Sequence, residues 1–296
     1  MMFSYLQQAF RRRAPRPGLT AEVDFNRASD FLAMSLCCRT QNEFNRLRIT
    51  LENILTPAEI SAIAKLDLPP QVAERTRQWF DKLRKWQPDM LEAPQGYARH
   101  HLSPRLIFYR DTRVEPREKN LLVAFSGNAG RLMMPVCVFL QFMDSKTWDI
   151  ALLKKPASGS HLRGVDKNAD DFPGLVQFIE TALHPRAYRR VMTLGASAGG
   201  FPALWAAALM GADRGISAGG CPPRTLPDLR LDDHGPKGDF CMVYGAGSPQ
   251  DYEAALVLKE LFGGRLHPVA DVEGHSVLSE LMKRGQLAKF LKDVLV

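Results

Sequence analysis

The sequence contains little that would announce a membrane, a metal or a disulfide framework. No apolar run approaches the ~18 residues that a membrane-spanning helix needs, so a protein built on such helices is excluded. Only five cysteines occur in 296 residues: Cys37 and Cys38 are adjacent, and Cys137, Cys221 and Cys241 lie far apart. None has metal-ligand spacing, and the odd count argues against a closed disulfide set. Reduced thiols, mostly in the core, are the expectation. No internal repeat is present, and no motif of the helix-turn-helix, zinc-finger or RNA-binding type, so a nucleic-acid partner is not expected.

Charge is equally unspecific. There are 39 basic and 32 acidic residues, a net +7, but only Arg11-Arg12-Arg13 with Arg16 forms a cluster. It reads as an exposed N-terminal arm. The opening MMFSYLQQAFRRRAPRPG puts its arginines after a short apolar patch, the reverse of a secretory signal, and no small-residue cleavage site follows. The cytoplasm is the expected compartment. What is present is ordinary globular material, 45% apolar and 24% charged residues.

Two textures divide the chain. Residues 1–95 read as a helical N-terminal region. Thr56-Pro57-Ala58-Glu59 has the form of a capping box with proline at the first helical position, and Leu55 and Ile60 fit a hydrophobic staple. Val72, Trp79, Phe80, Leu83 and Trp86 recur at helical spacing as a core or docking face, and Phe25, Phe31, Leu32 and Leu36 suggest a further helix. From about residue 97, short apolar runs alternate with amphipathic stretches. Residues 97–102 and 105–109 read as a strand pair around a Ser-Pro turn. Further strands follow at 121–125, 148–153, 190–194, 214–218, 240–244 and 265–270, with helices around 134–142, 172–183, 198–211, 250–262 and 276–293. Continuous apolar strands alternating with helices imply an α/β, doubly wound, mostly parallel sheet over 96–296. The polar segment 155–174 reads as a surface loop near the carboxyl edge.

One constellation carries chemistry. Gly195-Ala196-Ser197-Ala198-Gly199 is a G-x-S-x-G pentapeptide between a strand ending at Gly195 and an alanine-rich helix. A turn this tight holds its serine in a strained conformation, and the flanking glycines leave room for it. Ser197 also falls at a helix amino end, where free N–H groups favour an anion. A serine nucleophile needs a base, and a carboxylate to orient that base. His275 follows the last strand and precedes the terminal helix, which puts it at the same edge. His267 falls inside a strand, His184 precedes Pro185 at a helix end, and His100 and His101 lie on the early hairpin. For the acid, Asp251 follows the strand 240–244; Glu253, Asp271, Glu273, Asp228, Asp232 and Asp233 remain alternatives. A tetrahedral oxyanion needs two donors. One is the Ala198 N–H, and the other belongs to the loop Phe125-Ser126-Gly127-Asn128-Ala129-Gly130.

The order Ser197, Asp251, His275, the nucleophile elbow and the glycine-bearing loop resemble the α/β-hydrolase superfamily over roughly residues 97–296. The resemblance implies Asn128 as the second oxyanion donor, although Ser126 stands where many members carry histidine. It also implies a serine esterase or thioesterase working through an acyl-enzyme, with no metal or organic cofactor. The substrate expected is a small-molecule or glycan-linked acyl compound. The alternative is a hydrolase-fold accessory or acyltransferase protein acting with a partner, for example in surface glycan modification or export. The helices of residues 1–95 lie outside the usual family core and offer a surface for such a partner. A dinucleotide-binding enzyme is disfavoured, because the first strand-to-helix turn carries no G-x-G-x-x-G.

Overall fold

The apolar runs of the sequence become the strands of a single sheet. A computed structural model of the chain describes residues 28–156, 160–163, 169–225 and 238–295. The strands are β1 (Ala98–His101), β2 (Leu106–Arg110), β3 (Asn120–Phe125), β4 (Trp148–Leu153), β5 (Arg190–Ala196), β6 (Arg214–Ala218), β7 (Asp239–Gly245) and β8 (Arg265–Val269). They form an eight-stranded sheet in the order β1-β2-β4-β3-β5-β6-β7-β8. The β1–β2 and β2–β4 pairings are antiparallel, and the rest are parallel.

The described helices are α1 (Ala28–Cys37), α2 (Gln41–Glu52), α3 (Pro57–Ala64), α4 (Pro70–Trp86), α5 (Val136–Phe142), α6 (Phe172–Leu183), α7 (Gly200–Met210), α8 (Pro249–Phe262), α9 (Val277–Lys283) and α10 (Leu287–Leu295). The α3 start has the local form its sequence encodes: Glu59 N–H donates to Thr56 Oγ1 at 3.1 Å, and Thr56 N–H donates to Glu59 Oε2 at 2.8 Å. A single helix over 276–293 is the expectation from periodicity; the structure has two. Gly285 adopts φ +67° between α9 and α10, a left-handed turn that ends the first helix while the apolar spacing runs on through Leu287, Phe290 and Leu291.

Side chains alternate across the strands, so each strand feeds two cores. Leu121, Val123 and Phe125 of β3 join a cluster with Phe172 and Ile179 of α6 and Phe201 and Leu204 of α7. Leu122 and Ala124 point the other way, into a cluster that includes α5, α9, α10 and the N-terminal helices. Phe31, Phe44, Leu51, Ile60 and Trp79 belong to that second cluster, so the helices over 28–86 and this face of the sheet share one hydrophobic core. Tyr109 of β2 ties them further, its hydroxyl donating to the Ile54 carbonyl at 2.9 Å. The further helix suggested by Phe31, Leu32 and Leu36 is α1, whose Phe31 is buried while Leu36 is 43% exposed; Phe25 lies outside the described residues.

All five cysteines are free, but only Cys137 and Cys241 are buried. The expectation of mostly core thiols is corrected: Cys37, at the end of α1, and Cys221, just beyond β6, are exposed by residue, because each sits where its element has ended. No described helix is long and apolar enough to cross a membrane.

Candidate active site

Parallel strands all end at one edge, and the loops that leave that edge bring distant residues together. β5 runs through Ala196 and breaks into a single 3-10 turn, Ser197–Gly199, before α7 begins at Gly200. Ser197 sits at φ +54°, a left-handed backbone conformation that costs a non-glycine residue of order 1–3 kcal/mol. The turn closes only because two residues lack side chains. A Cβ on Gly195 would come within 1.9 Å of the Gly199 carbonyl oxygen, and one on Gly199 within 2.2 Å of the Phe125 carbonyl oxygen.

His275 arrives from the β8 edge of the sheet. His275 lies between β8 and α9, in a loop held against the turn after β7: Gly247 N–H donates to the Val272 carbonyl at 2.9 Å, and Ala246 N–H to the Val269 carbonyl at 2.9 Å. Asp251 occupies the first turn of α8, its N–H directed at Ser248 Oγ at 3.4 Å. His275 Nδ1 lies 2.8 Å from Asp251 Oδ1, and His275 Nε2 lies 2.8 Å from Ser197 Oγ. A carboxylate only accepts, so Nδ1 carries the ring proton and Nε2 is left to accept the serine hydroxyl. Asp251 is buried, with Oδ2 unpartnered among the described residues, whereas the His275 side chain is 45% exposed.

The structure therefore brings Ser197, His275 and Asp251 into one hydrogen-bonded chain. Of the alternative acids, Glu253, Asp271 and Glu273 are exposed, and Asp228, Asp232 and Asp233 lie outside the described residues. Partial desolvation, and then the charge of Asp251, push the Cys221 thiol pKa up.

Ser197, Asp251 and His275 follow β5, β7 and β8 of a mostly parallel sheet in that chain order. The chain has the α/β-hydrolase fold. Against solved structures it is similar to 2,6-dihydroxy-pseudo-oxynicotine hydrolase at 16% identity, over 99% of this chain and 93% of that one, with a TM-score of 0.47. It is similar to a dienelactone hydrolase from Anabaena variabilis at 14% identity, over 68% and 97% of the two chains, with a TM-score of 0.47. Est1E from Butyrivibrio proteoclasticus matches at 14% identity, over 68% and 99%, with a TM-score of 0.41. No protein-family model matches the sequence, and no curated protein matches it significantly.

In the α/β-hydrolase frame, the β3 loop is the one that faces the elbow. A Cβ on Gly127 would stand 3.0 Å from the Ala196 carbonyl oxygen and 3.3 Å from Ser197 Cβ. The loop is closed by Gly127 N–H to the Arg131 carbonyl at 3.1 Å and by Gly130 N–H to the Gly127 carbonyl at 3.0 Å. Asn128 and Ala129 form its exposed tip. Ala198 lies in the opening turn of the helix, where backbone donors have no carbonyl partner within the helix.

Two features of this edge escape a reading of residue types. His161, inside the polar segment 155–174, is 1% exposed and its Nε2 lies 2.9 Å from the Ser126 carbonyl oxygen. Lys154, at the end of β4, has its pKa lowered to about 8, by burial first and by the charge of Arg99 second. Neither lies in a periodic apolar pattern, and the signal that would have found His161 is its position on the strand-to-helix connection after β4. Among the described residues, no group of three or more His, Cys, Asp or Glu side chains is arranged to hold a metal ion.

Proposed function

We propose that the protein is a serine hydrolase that cleaves a carboxylic ester or thioester through an acyl-enzyme intermediate. The observation that carries this reading is the pair of 2.8 Å contacts joining Ser197, His275 and Asp251. His275 Nε2 takes the Ser197 hydroxyl proton as Oγ bonds to the acyl carbon. The tetrahedral oxyanion is held by the N–H groups of Ala198 and Asn128. Collapse breaks the bond to the alkoxide or thiolate leaving group, which receives the proton from His275. Water then attacks the acyl-enzyme as His275 takes its proton, and collapse breaks the acyl C–Oγ bond, with His275 returning the proton to Ser197 Oγ and the acid released. Asp251 stays ionised throughout, fixes the Nδ1–H tautomer and stabilises the imidazolium.

The strained backbone at Ser197 supports the same reading, since a residue whose only task was to cap α7 would not need φ +54°. With His275 45% exposed, both water and an alcohol can reach the acyl-enzyme, so an acyltransferase with a glycan-linked acceptor uses the same groups. The test is turnover of p-nitrophenyl acetate and of a panel of acyl esters and thioesters by the wild-type protein and by Ser197→Ala. Wild-type turnover that falls at least about a thousandfold in the variant is expected. Equal turnover by the two proteins overturns the proposal.

A further inference from the structure

The peptide leaving β3 is clamped at every polar atom. Ser126 N–H continues the sheet ladder to the Leu153 carbonyl at 2.9 Å, and Ser126 Oγ accepts from Lys155 N–H at 2.9 Å. The third atom, the Ser126 carbonyl oxygen, faces His161 Nε2 at 2.9 Å. A carbonyl only accepts, so Nε2 carries hydrogen and donates. The His161 ring is itself wedged edge-on against Phe125, with centroids 5.5 Å apart and planes at 82°. Gly199 of the serine turn also packs against this peptide: a Cβ there would stand 2.9 Å from the Ser126 oxygen.

This clamp reaches the proposed oxyanion donor through planar peptides. In a trans peptide the N–H points opposite to the carbonyl of the same plane. Holding the Ser126 carbonyl fixes the Gly127 N–H, which closes on Arg131. The next carbonyl, that of Gly127, accepts from Gly130 inside the turn, so the Asn128 N–H on its far side is directed out of the turn. His161 thus sets the first plane of a series whose third residue is Asn128.

The chemistry of the site makes a filler role a poor account of the imidazole. His161 Nδ1 is buried with no hydrogen-bond partner among the described residues, a desolvation cost that an apolar ring would avoid. Burial also lowers its pKa to about 4, so the ring is neutral at physiological pH and supplies no charge to the site. What an imidazole adds over phenylalanine here is a single donor aimed at Ser126.

We infer that His161 is a positioning residue for the oxyanion loop, acting through its Nε2–H on the Ser126 carbonyl. The inference rests on the serine hydrolase reading above. Misplacing a donor that acts only in the transition state lowers kcat and leaves substrate binding nearly unchanged.

Three variants separate reach from volume. A glutamine amide extends as far as Nε2 of histidine, an asparagine amide stops near Nδ1, and phenylalanine keeps the ring without a donor. With p-nitrophenyl acetate, His161→Phe and His161→Asn are expected to lose ten- to a hundredfold in kcat with KM within about twofold, and His161→Gln to stay within about threefold of wild type. The rate of fluorophosphonate labelling should fall in parallel, because the phosphonyl oxygen occupies the same hole. Where the Phe variant does not fold, the Gln and Asn pair decides. Equal kcat for Gln and Asn, or an effect on KM alone, overturns the positioning role while leaving Ser197-dependent turnover intact. Absence of Ser197-dependent turnover in the wild-type protein overturns both this inference and the reading beneath it.

Discussion

Gly199 lies so close to Phe125 that a Cβ on the glycine would fall 2.2 Å from the phenylalanine carbonyl oxygen. The contact joins the turn that presents Ser197 to the strand that launches the loop of Gly127 and Asn128. It leaves no room for any side chain, and because the atom met is backbone it has no rotamer into which to retreat. Gly199→Ala is therefore expected to push the two loops apart, destabilising the fold by about 2–3 kcal/mol. Ester turnover should fall by well over tenfold. Thermal unfolding and p-nitrophenyl acetate hydrolysis check this; a variant with unchanged melting temperature and rate would show that the turn is looser than described.

Asp251 and His275 meet through a single carboxylate oxygen, and that bond sets which imidazole nitrogen is free to accept from Ser197. Asp251→Asn keeps the size but presents an amide that holds the wrong tautomer. A loss of about 10³–10⁴ in kcat at neutral pH is expected, with little change in unfolding temperature. Exposed Glu253 and Glu273 are the controls, since their Gln variants should stay within about threefold of wild type.

Far from this edge, Lys119 and Asp149 form an ion pair with both side chains at 0% exposure, Nζ to Oδ1 2.7 Å. Lys119 Nζ also donates to the Asp111 carbonyl at 2.6 Å, and Tyr188 donates to Asp149 Oδ2 at 2.9 Å. Removing one partner strands a buried charge. Lys119→Met should cost about 3–5 kcal/mol in urea unfolding, while adding Asp149→Leu should recover a large part of it. A double variant as unstable as the single one would mean that packing, not the orphaned carboxylate, sets the loss.

His161 gives the fold a pH dependence with a definite sign. Its pKa is about 4 when folded, against 6.5 for the free side chain, so between those values the unfolded chain binds a proton that the folded one does not. Stability therefore falls as pH drops from about 6.5 to about 4 and flattens below that. This group contributes up to about 3 kcal/mol of that loss. Urea midpoints across the window should decline less steeply in His161→Gln than in wild type. Parallel slopes would remove His161 as their source.

Much of this architecture is legible in residue patterns, and the exceptions are physical. WDIALL and RGISA become β4 and β6 with the same ends, because a strand buried on both faces reads as an unbroken apolar run. The elbow is legible because the spacing of Gly195, Ser197 and Gly199 answers a steric demand of the turn itself. Asp251 is only one of several acids in sequence, since its selection depends on where the first turn of α8 meets the loop of His275. His161 and Lys119 are polar residues in polar surroundings, and their burial comes wholly from tertiary packing. The break at Gly285 is hidden for the opposite reason, as the apolar period continues across it.

Covalent capture at Ser197 tests the account most directly. The wild-type protein, incubated with a fluorophosphonate probe and digested, should show one phosphonylated peptide with the adduct on Ser197 by mass spectrometry. Labelling should be lost in Ser197→Ala and slowed by about a hundredfold or more in His275→Ala. A folded wild-type protein that takes no label, or takes it on another residue with Ser197 untouched, would contradict the central claim.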